Sequence, residues 1–104
     1  MAPGRRLLTF RRANAMKFTW DRRKAASNLK KHNVSFNEAS TVFADSLSAT
    51  ISDPDHSLGE HRFVTLGVSS AGRLLVVCHT EEAGLLRIIS ARRATRHEKD
   101  RYET

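Results

Sequence analysis

The apolar positions of this chain keep two rhythms. A short first strand, Lys17-Phe18-Thr19-Trp20, is followed by helical spacing up to about residue 45. From residue 62 onward the apolar residues alternate or run in short blocks, as strands do. Asp21 is placed to cap a helix reaching about His32, with Ala25, Ala26 and Leu29 as its inward face. Asn33 tolerates the left-handed conformation that stops a helix. A second helix starts almost at once, because Ser35-Phe36-Asn37-Glu38 matches a capping box with Val34 and Ala39 as its staple. Phe36, Ala39, Val42 and Phe43 form its buried side, and it should end near Asp45 or Ser46.

Residues 48–52 predict a strand, and Asp53-Pro54-Asp55-His56 a polar turn. Residues 62–68 place Val64, Leu66 and Val68 on one face, with Phe63 and Thr65 on the other. Ser69-Ser70-Ala71-Gly72 turns the chain into residues 73–80, apolar on both faces and so a central strand. Glu81-Glu82-Ala83-Gly84 turns it again into a last strand from Leu85. Strict alternation there puts Leu86, Ile88 and Ser90 on one face and Leu85, Arg87, Ile89 and Ala91 on the other. Thr95-Arg96-His97-Glu98 is a second capping box and opens a short C-terminal helix. The expectation is an α+β domain: two N-terminal helices packed on an antiparallel sheet of about four strands, then a short C-terminal helix.

A chain of 104 residues suits one domain with a modest core. The formal charge is +7, of which +4 falls within residues 1–15. Those residues read as a basic extension outside the fold, leaving residues 16–104 as the domain. Excess positive charge favours nucleic acid or an acidic partner. A single cysteine, Cys78, excludes an internal disulfide and suits a reducing cytoplasm, with the thiol packed as a small hydrophobe. No stretch approaches a membrane span. Asp53, Asp55, His56 and Glu60 match no zinc spacing and read as turn residues, so neither metal nor cofactor is expected.

Arg87 interrupts an otherwise apolar strand face, and such a cation needs a partner, a route to solvent or an anionic ligand. With Arg92 and Arg93 beyond it and a helix following, the arrangement suits a phosphate backbone. An internal ion pair with Glu60 or Asp53 is the structural alternative. Lys31 and His32 close the first helix, where cations also satisfy the helix dipole. His79 reads as a hydrogen-bonded core residue.

In order along residues 16–103, the chain carries Phe18-Thr19-Trp20-Asp21, Lys24, Asn28, Lys31-His32-Asn33-Val34-Ser35-Phe36, Glu38-Ala39 and Val42-Phe43. Asp53, Glu60-His61-Arg62, Gly67, Arg87-Ile88-Ile89-Ser90-Ala91-Arg92, Ala94, Glu98 and Tyr102 follow. In this order the motifs resemble the BrnT family of toxins from type II toxin–antitoxin systems. Asn33 stands where that family usually has Gly, and Glu81-Glu82 replaces a turn that often carries Arg.

The resemblance implies a RelE-like fold and a cytoplasmic endoribonuclease that arrests growth. It also implies a BrnA-like antitoxin, a ribbon-helix-helix protein through which alone the complex would meet operator DNA. RNA can be cut without a metal when its own 2′-hydroxyl attacks the adjacent phosphate. The enzyme then stabilises the phosphorane and moves protons. For this chemistry the candidates are Arg87, Arg62, His32, Glu60 and Tyr102, with Lys31, Arg92 and Arg93 contacting RNA. The alternative is an inactive protein of the same fold that only binds antitoxin or nucleic acid.

Overall fold

The computed structural model describes residues 16–53 and 61–103. The basic extension, the turn residues Pro54, Asp55 and His56, and Glu60 lie outside the described residues. The chain order is β1 (Lys17–Trp20), α1 (Arg22–His32), α2 (Phe36–Ser40) continued by a 3₁₀ turn (Thr41–Ala44), then β2 (Ala49–Ser52), β3 (Phe63–Val68), β4 (Leu74–Glu82), β5 (Leu85–Arg93) and α3 (Arg96–Glu103). No described helix is long and apolar enough to cross a membrane.

The strands form one five-stranded sheet in the order β1-β5-β4-β3-β2. Strands β2 to β5 are an antiparallel meander, but β1 pairs parallel to β5, with Phe18 opposite Leu86 and Trp20 opposite Ile88. The sheet is therefore mixed and one strand wider than the antiparallel sheet expected. Strands β3, β4 and β5 are joined by tight turns that a sequence displays, whereas a parallel pair is joined only through a long crossover. Glu81 and Glu82 likewise belong to β4, opposite Leu86 and Leu85. The turn is only Ala83 and Gly84, with φ of 53° and 80°, the positive values a two-residue hairpin needs.

Helix α1 begins as expected, with the Asp21 carboxylate accepting from the amides of Arg23 and Lys24. It ends at Asn33 in the left-handed region. Its inward face differs from the expected one. Ala26 and Leu29 are exposed, and the residue buried in this helix is Asn28. The Asn28 amide donates to Ala91 O at 2.7 Å and Val34 O at 2.9 Å, and its Oδ1 accepts from Ala91 N at 3.0 Å. Strand β1 ends opposite Ile88; beyond it, this one side chain does for β5 what a neighbouring strand would.

Ser35 caps α2 through Glu38 N at 3.0 Å, but the Glu38 carboxylate does not return to Ser35. It accepts instead from Arg73 Nε and from Ser69 Oγ, tying α2 to the start of β4. The Arg73 guanidinium holds the Glu38 carboxyl below its usual range. Against the sheet, Val34, Phe36, Ala39 and Val42 meet Leu75, Val77, Leu86, Ile88 and Ala91 in a fully buried core. Gly67 is required by this packing: a Cβ there would lie 2.9 Å from Ser48 Cβ and 3.2 Å from Val42 O. His79 is completely buried on the same side, its Nε2 sharing a 2.7 Å hydrogen bond with Thr65 and its ring edge-on to Phe43. Cys78 faces the other side and is half-buried rather than enclosed.

Candidate functional site

The site begins with an irregularity in β5. Cys78 stands opposite Ser90 and His79 opposite Ile88, so Ile89 is an extra residue, a β-bulge. The bulge shifts the alternation expected from sequence. Ala91 is buried with Leu86 and Ile88, while Ser90 is exposed on the far face with Arg87. Arg92 then continues on Arg87's face, and Arg93 turns to the helix side, where its charge helps lower the Glu38 carboxyl.

The strand register builds a polar row across that far face. Arg87 lies opposite Thr19 of β1 and Thr80 of β4. Phe63, where β3 begins, lies opposite His79, and Arg62 is the residue that leads into it. A hydrogen bond from Asp53 N to Arg62 O, 2.9 Å, carries the ladder on past Ser52. The paired row reads Thr19, Arg87, Thr80, with the bonded Arg62 and Asp53 beyond the ends of β3 and β2. Arg62, leading into β3, and Arg87 of β5 are two strands apart, about 10 Å from two interstrand spacings. Two long planar cations at that separation can bracket a phosphate between them.

A second cationic feature lies around the edge of β5. Beyond the end of β1, α1 and the bulge enclose a groove of about 400 Å³ lined by Lys24, Ser27, Lys31 and His32 from the helix and by Ile89 and Ser90 from the strand. His32 and Lys31 are brought there, two to three residues along β5 from Arg87, rather than between Arg62 and Arg87.

Arg92 and Tyr102 hold partners within the protein. Arg92 makes a two-pronged ion pair with Glu98 of α3, at 2.9 Å and 2.8 Å, which lowers the Glu98 carboxyl to about 2. Thr95 and Glu98 complete the reciprocal capping box expected from sequence, with bonds of 2.8 Å and 3.2 Å. The Tyr102 hydroxyl donates to Asp45 Oδ2 at 2.6 Å. Burial first, then this bond, push the phenol up to about 12, so at neutral pH it is a held donor. Residues 20–98 match the family model for the ribonuclease toxin BrnT of type II toxin–antitoxin systems. The chain belongs to the BrnT family.

Among solved structures, the 1.1 Å crystal structure of the Brucella abortus ribonuclease toxin BrnT is similar to this chain. The two are 21% identical, with a TM-score of 0.57 over 78% of this chain and 99% of that one. At that identity the likeness carries the fold alone. A comparison with curated proteins found no match. BrnT membership makes this chain a ribonuclease toxin by family, with RNA as substrate and an antitoxin as partner.

Lys24, Asn28 and Ser90 stand in the motifs that carry the family resemblance, but neither they nor Ser27 are expected in the site. The available signal is an Asn inside the Ala25, Ala26, Leu29 stripe, a polar residue where an apolar one is due. The Ile89 bulge has no such signal, because Leu85–Arg93 reads as an uninterrupted strand.

Proposed function

We propose that this chain is a metal-independent endoribonuclease toxin of RelE-like fold, acting in the cytoplasm through residues 16–104. It is neutralised by a BrnA-like ribbon-helix-helix antitoxin, through which alone it meets operator DNA. The observation that carries the reading is Arg87, paired between Thr19 and Thr80, with Arg62 leading into β3 two strands away. In this mechanism the substrate's 2′-hydroxyl gives up its proton to a base and attacks the adjacent phosphorus. The bond from phosphorus to the 5′-oxygen breaks, and that oxygen leaves protonated to give a 2′,3′-cyclic phosphate, while the two guanidinium groups take up the charge that grows on the nonbridging oxygens. Preorganised cations act most strongly on charge that appears in the transition state. Proton transfer is assigned to Glu60, while His32 lines the groove beside β5. Lys31 contributes a phosphate contact.

A second reading, a toxin-fold protein that binds without cutting, draws on one observation: Arg92 and Tyr102 are both held internally. The experiment that separates the two is RNA cleavage by the purified chain in excess chelator, alongside growth on expression with and without the antitoxin. Cleavage with chelator and growth arrest relieved by the antitoxin are expected. Tight RNA binding with neither would favour the second reading.

A further inference from the structure

We infer that the α1–β5 groove is a subsite for a phosphate of single-stranded RNA flanking the scissile one, and that Lys24, Lys31, Ser27 and Ser90 read it. The inference rests on the ribonuclease reading above and names where the rest of the substrate runs. Its first support is composition. Among the described residues the lining includes the cations Arg23, Lys24 and Lys31 and the hydroxyls of Ser27 and Ser90, with no carboxylate. Lysines, arginines and serines are the side chains that hold nucleic-acid backbones. A protein partner would be met by a different surface, since interface cores favour aromatic and apolar groups and are depleted in Lys. Ile89 is the one large apolar residue among the described residues that line it.

Continuity is the second support. Arg87, Ser90 and Arg92 share the far face of β5, opposite Thr80, Cys78 and Val76. Two ladder steps separate each from the next, about 7 Å at a strand's rise per residue, close to the spacing of successive phosphates along an extended chain. Ser90 belongs to both features: it stands between the two arginines and also lines the groove. A strand whose scissile phosphate lies between Arg62 and Arg87 therefore has its neighbour at Ser90 and passes over the β5 edge onto α1. The bulge at Ile89 makes this possible, because it turns Ser90 outward beside the helix.

Shape is the third. A-form duplexes are read from outside, across a wide minor groove, by protruding elements. A concavity of about 400 Å³ admits a single strand. Its floor is rigid, since Asn28 spends its amide on Ala91 and Val34.

The test uses the full chain and a short single-stranded 2′-O-methyl RNA, which binds but lacks the attacking hydroxyl. Affinity is measured across a salt series for the parent, for Lys24→Ala/Lys31→Ala, and for Lys30→Ala. Lys30 is an exposed cation of α1 that does not line the groove. The double variant should bind more weakly, and its log K against log salt slope should fall by about 0.7 for each phosphate no longer neutralised. Lys30→Ala should stay near the parent, and a duplex of the same sequence should compete poorly. A double variant with parental affinity and slope overturns the subsite. So does a Lys30→Ala variant that loses as much. Loss of binding to polyglutamate with RNA binding intact overturns it in favour of an acidic protein. Cleavage of unmodified RNA is scored separately. A chain that binds through the groove yet cuts nothing removes the ribonuclease reading and keeps the subsite. A double variant that cuts with parental KM removes the subsite and keeps the ribonuclease.

Discussion

Replacing Asn28 by Ala tests whether one side chain substitutes for a missing strand. The change removes three hydrogen bonds of 2.7 to 3.0 Å and strands Ala91 N–H, Ala91 O and Val34 O in a site where Asn28 itself is 6% exposed. At about 1 kcal/mol net for each bond, the loss is about 3 kcal/mol. The groove admits water to part of the gap, which keeps the cost near that figure rather than at the full penalty of three buried orphans. For a domain of this size the midpoint of thermal unfolding should fall by roughly 12 °C, at about 4 °C per kcal/mol. Asn28→Asp is the sharper variant. It keeps the size and the acceptor for Ala91 N–H but turns a carboxylate oxygen onto two carbonyls. At neutral pH it should destabilise at least as much as Ala. Urea unfolding is readable from Trp20, the single tryptophan, whose ring packs edge-on to Phe36. Unfolding of both variants within about 1 kcal/mol of the parent would refute the reasoning, since ordinary solvent exposure of these groups costs no more than that.

Two further predictions concern α3, which buries none of its residues and is tied down by polar contacts. The Glu98 carboxyl is lowered from 4.5 to about 2 by Arg92, so its contribution is complete above about 4.5 and fades as pH falls toward 2. Because the pair is partly exposed, Glu98→Gln should cost about 1 kcal/mol at neutral pH, and the difference from the parent should vanish near pH 2; a difference constant with pH would contradict this. Tyr102 is the single tyrosine, so ultraviolet titration reads it directly: ionisation is expected near 12, returning toward 10 in Asp45→Asn. The stabilisation from that raised value is present below about 10 and lost as pH rises through 12, and a parent phenol titrating near 10 would rule the Asp45 bond out.

What the sequence discloses follows the range of the interaction. Caps and turns are local, so Asp21, Ser35, Asn33 and the Thr95–Glu98 box are legible, and so is the meander with its short connections. The parallel docking of β1 against β5 joins residues nearly 70 positions apart, and no local rhythm encodes it. The site divides in the same way. Arg87 stands out because a charge breaks an apolar run. Its neighbour Arg62 becomes a partner only through the β3–β4–β5 register, and the groove forms only through the bulge. Glu38 shows the limit of motif reading, since the box residue is recognisable but its carboxylate serves Arg73, 35 positions away.

The central claim is that Arg87 stabilises charge on the scissile phosphate. RNA cleavage in excess chelator and urea unfolding, measured on the same preparations of the parent and Arg87→Ala, test it most directly. The account predicts that the parent cuts, that Arg87→Ala cuts about 10²–10³-fold more slowly, as when other oxyanion donors are removed, and that both unfold alike. Arg87→Lys should recover little, because it keeps the charge without the planar fork. A structural ion pair would show instead as a loss of about 3–5 kcal/mol in stability. A stable Arg87→Ala protein that cuts RNA at the parent's rate would contradict the account.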